Sequence, residues 1–380
     1  MYKVMPIIGT RPEGIKMAPL IKALKQEKDI ECLFVNTAQH REMLDQVLEL
    51  FALQPDYDIN LMQAGKRIEE LTGILLAKLS AIIEAEKPDL VLVHGDTTTT
   101  FIGAYAAFIQ QIPIGHIEAG LRTNNKYSPF PEEMNRQMVS RMATYHFAPT
   151  EKNKNHLLQE NITEDSIYVV GNTVIDALLE IASRPNRFNK SLQSIFSNDQ
   201  QTILLTTHRR ENLHELTNIF AAINQLLQEH QNIQVLFPIH KNPQIRKTVY
   251  DFFQTNERIH LIEPLDYESF VQVMKHSYLV ITDSGGVQEE APSLGKPVLV
   301  VRNTTERQEG VEAGTLKLVG TSTKSIYEEC TTLIHDASEY EKMQKISNPY
   351  GDGNTSRRII EIIKEISLDK EKQRRIVGMY

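Results

Sequence analysis

Little in this chain of 380 residues could build a covalent or metallic framework. It has two cysteines, Cys32 and Cys330, too few for a disulfide network or a zinc cluster. Metal signatures of the H-E-x-x-H, C-x-x-C and carboxylate-rich calcium-loop kinds are missing. So is G-x-S-x-G, which leaves a Ser-His-Asp hydrolase unsupported. No apolar run reaches the ~18 residues that a bilayer-spanning helix needs. Positive charge is in deficit, 41 Lys and Arg against 49 Asp and Glu, for a formal net charge of −8. Such a chain has no general attraction to nucleic acid or an anionic membrane, so an anionic ligand needs a local basic pocket. Short-period repeats and low-complexity tracts are also lacking. The start, Met1-Tyr2-Lys3-Val4, runs into a short apolar stretch ending at Gly9, not into a long signal-type segment. The expectation is a soluble cytoplasmic protein.

What is present is an alternation. Apolar residues make up 41% and charged residues 24%, as in ordinary globular domains. At about 150 residues per domain, the length implies two to three domains. Eleven short apolar runs read as strands: 3–8, 31–37, 90–94, 112–117, 145–148, 167–169, 202–206, 233–238, 259–262, 279–282 and 298–301. Amphipathic stretches such as 15–27, 68–86, 213–230 and 269–276 separate them. Alternating strands and helices predict parallel sheets covered on both faces. Eleven strands exceed what one compact doubly wound sheet usually holds. The polar segment 183–201 is the best linker, with one α/β domain on each side. The stripe Ile359, Ile360, Ile362, Ile363, Ile366 predicts a terminal helix that packs back on the first domain.

In open α/β sheets ligands lie beyond the carboxyl ends of strands, so the residues just after each strand carry the chemistry. The first such segment is Gly9-Thr10-Arg11-Pro12-Glu13-Gly14-Ile15-Lys16. It is neither a Rossmann fingerprint nor a P-loop. An ordinary turn explains its glycine and proline but not two cations, Arg11 and Lys16, at a positive helix end. In Gly95-Asp96-Thr97-Thr98-Thr99-Thr100, Asp96 alone reads as a helix N-cap, yet the threonines cap equally well. Glu118 stands at a strand end among small and apolar residues, a poor place for a merely solvated carboxylate. Glu132 opens a helix after Pro131, where complementing the helix dipole is a sufficient reason for it. Together Asp96, Glu118 and Glu132 form three acids converging on one crevice, an arrangement for proton transfer with shifted pKa values.

The later strands end in anion-binding chemistry. His208-Arg209-Arg210-Glu211-Asn212 suits a phosphate or diphosphate leaving group, with a surface salt-bridge cluster as the plain alternative. His240-Lys241-Asn242-Pro243 is a weaker case. In Thr282-Asp283-Ser284-Gly285-Gly286-Val287-Gln288-Glu289-Glu290, an apolar strand passes through a Ser-Gly-Gly turn straight into a helix. Backbone amides and the Ser284 hydroxyl are able to cradle phosphates there. Glu290, a turn further on, is placed to accept ribose hydroxyls. Arg307 adds a cation after the next strand.

These runs, with Thr37-Ala38-Gln39-His40-Arg41, His116-Ile117-Glu118-Ala119-Gly120-Leu121-Arg122-Thr123 and Asn348-Pro349-Tyr350-Gly351-Asp352-Gly353, resemble the non-hydrolysing UDP-N-acetylglucosamine 2-epimerases of bacteria, in order and over essentially the whole chain. The resemblance implies a GT-B type α/β fold, two Rossmann-like doubly wound domains facing across a cleft. It places an N-terminal domain over residues 1–170, a UDP-binding domain over 171–355, and a helix over 356–380 that returns to the first. It implies reversible epimerisation of UDP-GlcNAc and UDP-ManNAc at C2, for cell-surface polysaccharide precursors, with no cofactor and no metal. UDP is eliminated to give 2-acetamidoglucal and then adds back. By the same match Asp96, Glu118, Glu132 and His208 are catalytic. Arg11, Lys16, Phe270, Ser284, Gly285, Gly286, Glu290 and Arg307 bind substrate. The expected partners are the UDP-sugars and a second copy in a homodimer, with neither nucleic acid nor membrane.

Some bacterial members of the family are activated by UDP-GlcNAc held in a second pocket. The matching positions here are Gln39, Glu42, Lys66, Arg209 and His240. A carboxylate at 42 would repel a second diphosphate, and Gly65 offers no side chain, so activation is expected to be weak. Three alternatives stand beside the epimerase: a hydrolysing relative, a GT-B glycosyltransferase using a UDP-sugar, and a catalytically silent nucleotide-sugar sensor. The sensor needs no trio of acids.

Overall fold

The computed structural model describes residues 1–39, 41–61, 67–207, 215–239, 243–253 and 256–377. The chain divides into two units, Met1–Ala177 with Tyr350–Tyr380, and Leu178–Pro349.

In the first unit β1 (Tyr2–Ile8) is joined by β2 (Ile30–Cys32), β3 (Val35–Asn36), β4 (Tyr57–Asp58), β5 (Leu90–His94), β6 (Ile114–Ile117), β7 (Tyr145–Ala148) and β8 (Ile167–Val169). They make one parallel sheet in the order β4-β3-β1-β5-β6-β7-β8, with β2 also on β1. The second unit holds β9 (Gln201–Thr206), β10 (Ile233–Pro238), β11 (Ile259–Ile262), β12 (Leu279–Thr282), β13 (Val298–Val300) and β14 (Leu316–Leu318), parallel and ordered β11-β10-β9-β12-β13-β14. Strands buried on both faces read as continuous apolar runs, which is why Leu90–His94 and Leu279–Thr282 are buried throughout. Both units are doubly wound, Rossmann-like α/β sheets.

Three expectations change. The run read as one strand over 31–37 is two, β2 and β3. Val4 and Ile8 accept the ladder bonds from Leu33 and Thr37, so Pro6 faces the same neighbour, and it has no N–H to give. At the break Phe34 donates its amide to the Asp56 carboxylate at 2.8 Å. Two further short strands, β4 and β14, were hidden by their polar residues. The stretch 183–201 is no linker. It belongs to the second unit and folds into a helix, Lys190–Phe196, capped by Asn189 and buried through Leu192 and Ile195. The chain leaves the first unit within the helix Thr173–Ala182.

It returns at Tyr350 and ends in the helix Thr355–Val377, which packs against the helix Arg11–Gln26. Ile359, Ile360 and Ile363 are buried there, while Lys364 reaches Glu27 and Lys370 reaches Asp89 at 2.8 Å. Asp176 caps this helix, accepting from the amides of Thr355 (3.1 Å) and Ser356 (2.6 Å). No described helix is long and apolar enough to cross a membrane.

Candidate active site

Each sheet has one point where strand order reverses, β1/β5 in the first unit and β9/β12 in the second. A crevice opens at such points beyond the strand ends, and ligands of doubly wound folds bind there. Four of the segments singled out in the sequence follow these four strands.

After β1, Gly9 has no alternative. A Cβ there would lie 2.1 Å from the Thr37 hydroxyl and 2.3 Å from that of Thr99. Glu13 is buried beneath the loop and accepts from the amides of Gly9 (3.0 Å) and Thr10 (2.7 Å) and the hydroxyls of Thr97 (2.7 Å) and Thr100 (3.0 Å). Burial pushes its carboxyl above the ordinary range, against those four bonds. Glu13 thereby ties the loop after β1 to the loop after β5. Arg11, half-buried beside it, has no ion-pair partner among the described residues.

After β5 the helix N-cap is Thr97, whose hydroxyl accepts from the Thr100 amide at 3.1 Å. Asp96 is thus released from capping. It pairs with Arg136, and its carbonyl accepts from Asn135 at 2.9 Å. Burial raises the Asp96 pKa, Arg136 pulls it back, and the charge of Glu118 raises it again. Asp96 and Glu118 therefore sense each other.

Glu118 follows β6 with φ +63°, in the left-handed region that a residue with a side chain rarely enters. One of its oxygens, Oε2, gathers Lys16, the Asn172 amide at 3.2 Å and His94 Nε2 at 3.5 Å. Burial lowers the His94 pKa to about 4, so the ring is neutral at pH 7. His116 beneath it is lowered to about 3 by the same cause and donates to the Gly95 carbonyl at 2.8 Å. Lys16, expected as an anion contact, is thus engaged with Glu118.

The neighbours Glu132 and Glu133 separate cleanly. Glu133 is fully buried and accepts from the amides of Thr123 (3.0 Å) and Asn124 (3.1 Å), from Gln137 (2.8 Å) and from Arg136 (3.2 Å). Glu132, at the start of the helix Glu132–Met142, is half-buried with no partner among the described residues. The structure brings Asp96 and Glu118 together with Lys16 and Arg136. It places Glu132 at the head of the helix that carries Arg136.

In the second unit β12 ends at Thr282, and the helix Gly285–Glu290 begins immediately, with Ser284 at its N-cap. The Ser284 hydroxyl has no hydrogen-bond partner among the described residues. Gly286 is exposed, while a Cβ on Gly285 would come within 3.0 Å of the Arg307 guanidinium. Arg307 is held by Glu289 at 2.7 Å. Glu290 is buried and accepts from the Tyr267 hydroxyl at 2.7 Å. Phe270, half-buried, sits one turn along the same helix as Tyr267, Tyr267–His276. His208, Arg209, His240 and Lys66 lie outside the described residues. Of the remaining proposed regulatory pair, Gln39 accepts from the Thr99 hydroxyl at 2.9 Å, and Glu42 is exposed.

Two switch-point crevices, one lined by carboxylates and one by a glycine-led helix start, suit a nucleotide-sugar enzyme, and comparison with known proteins decides which. The family model for UDP-N-acetylglucosamine 2-epimerase matches residues 22–364. The chain belongs to the UDP-N-acetylglucosamine 2-epimerase family. A relative of that name from Bacillus subtilis (strain 168) is 53% identical over 360 residues, 94% of this chain and 94% of its own. The Escherichia coli (strain K12) UDP-N-acetylglucosamine 2-epimerase is 49% identical over 369 residues, covering 95% of this chain and 98% of its own. The crystal structure of the Neisseria meningitidis UDP-GlcNAc 2-epimerase, bound to UDP-GlcNAc, superposes with a TM-score of 0.83 at 48% identity, over 96% of this chain and 100% of that one.

Within this epimerase family chain, sequence reasoning gave no role to Arg136, Glu133, Asn172 or Tyr267. Arg136, Asn172 and Tyr267 act through partners 40, 54 and 23 residues away, and Glu133 through the turn folded back onto it. Only Arg136 carried a hint, a cation one turn behind two acids.

Proposed function

We propose that this chain interconverts UDP-GlcNAc and UDP-ManNAc by epimerisation at C2, through loss of UDP to 2-acetamidoglucal and its re-addition, and so supplies ManNAc units for cell-surface polysaccharide. The observation that carries the reading is the pair Asp96 and Glu118 at the β1/β5 switch point, each bound to a cation, in a chain of this family.

The C2 hydrogen of a sugar is very weakly acidic, so a base alone does not remove it. Departure of UDP in the same elimination lowers that barrier, provided the leaving diphosphate is stabilised where its charge develops. Ser284, Gly285 and Gly286 offer a hydroxyl and backbone amides for it, with Arg11 and Arg307 as cations. His208 stands at the diphosphate by the sequence match alone. Glu290 takes the ribose hydroxyls and Phe270 lines the same site. The proton leaves C2 on one face and returns on the other, which calls for more than one acid–base group. Asp96, Glu118 and Glu132 are those groups. Lys16, bound to Glu118, orients that carboxylate.

The family match favours this over glycosyl transfer or hydrolysis. With Glu42 exposed on its helix and carrying like charge toward a diphosphate, activation by a second UDP-GlcNAc is weak. The assembly is a homodimer in the cytoplasm, on the strength of the resemblance; light scattering after size exclusion checks the first point. The deciding experiment is incubation with UDP-GlcNAc in D₂O. Two UDP-sugars carrying deuterium at C2 are expected. Undeuterated UDP-GlcNAc as the sole sugar recovered, from protein shown to bind it, overturns the reading.

A further inference from the structure

Asn172 is a buried group without a part in the reaction as proposed, and both polar atoms of its side-chain amide have partners. Its backbone N–H donates to the Tyr350 carbonyl at 2.7 Å. Its Oδ1 accepts from the Val174 amide at 3.2 Å. That second bond fixes which way round the amide lies, because an NH₂ cannot face an N–H donor. Nδ2 must then point the other way, and it donates to Glu118 Oε2 at 3.2 Å. The residue is only 4% exposed, so water does not substitute for these partners. Its surroundings are equally constrained. Gly171 sits at φ +97°, where a Cβ would meet the Thr355 hydroxyl at 2.6 Å.

We propose that Asn172 is a positioning residue for Glu118, clamped by the point at which the chain re-enters the first unit. The proposal rests on the reading that Glu118 handles a proton at C2. Glu118 needs such a clamp because its backbone lies in the left-handed region, where a residue with a side chain persists only if its surroundings over-determine it. Donation from Asn172 favours the ionised carboxylate and fixes its rotamer. The same residue holds Tyr350, the first residue of the returning chain, and stands just before Ala177, the last before it departs. One residue thus joins a reacting carboxylate, held by its side chain, to the re-entry of the chain at Tyr350, held by its backbone. Among the described residues, Lys16, His94 and Asp96 are titratable or charged groups that face Glu118.

The test uses the full chain with Asn172→Asp, which keeps the acceptor for the Val174 amide and replaces only the donor, and Asn172→Ala as a second variant. Expected for Asn172→Asp is a fall in kcat of about tenfold or more with KM and UDP affinity within about twofold. The acid limb of the pH profile should move to higher pH, because a carboxylate robbed of a donor and given an anionic neighbour binds its proton more tightly. The urea midpoint should hold. Glu118→Gln is measured alongside, by deuterium entry at C2. If Glu118→Gln abolishes exchange while Asn172→Asp keeps normal kcat and pH profile, Asn172 merely shapes the turn and the proposal is overturned. If Glu118→Gln exchanges normally, the reading of Glu118 falls and takes the proposal with it. A loss of kcat, UDP affinity and stability in equal step also overturns it.

Discussion

Adjacent glutamates in opposite surroundings allow a decisive comparison. Glu133 has no exposed surface and holds four donors, among them two backbone amides of the 123–124 turn and the Arg136 guanidinium. Replacing it with Ala leaves those amides unpaired and removes one of Arg136's two carboxylates. Breaking a buried charge pair costs about 3–5 kcal/mol, and in a unit of roughly two hundred residues each kcal/mol shifts Tm by about 2–4 °C. Glu133→Ala should therefore lower the Tm of the first unit by roughly 6–20 °C. Glu132 has no partner among the described residues to lose, so Glu132→Gln should hold stability within about 0.5 kcal/mol. Turnover should show the reverse order. Glu132→Gln is expected to cost at least ~10²-fold as the loss of a positioned acid–base group. The assays are differential scanning calorimetry and C2 deuterium incorporation on both variants. Near-normal turnover by Glu132→Gln would mean that this glutamate serves only the helix dipole. An unshifted transition for Glu133→Ala would refute the ranking by hydrogen-bond count.

Asp96→Asn should bind UDP almost as the parent does while turnover drops at least ~10²-fold, checked by calorimetry and initial rates. Glu290→Ala and Arg11→Ala should instead weaken UDP binding itself; unchanged titrations would remove them from the nucleotide site. Stability should fall in mild acid. His94 and His116 are held neutral to about 4 and about 3, so between pH 6.5 and 4 the unfolded chain binds two protons that the folded one does not. The loss approaches ~2.7 kcal/mol per pH unit, offset in part by Glu13 and Asp96, whose raised pKa values act in the opposite sense. Urea midpoints at pH 7, 6 and 5 measure it, and a flat series would contradict the burial argument. Kinetics in UDP-GlcNAc should be nearly hyperbolic, with reverse reaction from UDP-ManNAc alone; a strict need for added UDP-GlcNAc would show a working second pocket.

Most strands were legible because doubly wound sheets bury them on both faces and leave apolar runs such as Leu90–His94. The failures have separate causes. Pro6 breaks its partner strand and not its own, so the split between Cys32 and Val35 is invisible in the run that splits. Leu192 and Ile195 make a buried helix out of a segment whose polar residues suggested a tether. At the site, residue type and strand-end position single out Asp96 and Glu118, but not what holds them. Glu133 and Glu132 are the same residue side by side, and only the 123–124 turn, folded back onto one of them, tells them apart. Asn172 lies 54 residues from Glu118, with no motif to connect the two.

The split composition of the first unit has a consequence for biogenesis. Leu178–Pro349 is one continuous stretch, whereas the first unit needs Tyr350 onward to be whole. On the ribosome the second unit has all its strands before the helix Thr355–Val377 exists. Until that helix arrives, the face of Arg11–Gln26 that it covers is open to solvent. The portion made first is thus completed last, and the nascent first unit spends the synthesis of some 170 intervening residues with apolar surface available to chaperones or to other chains.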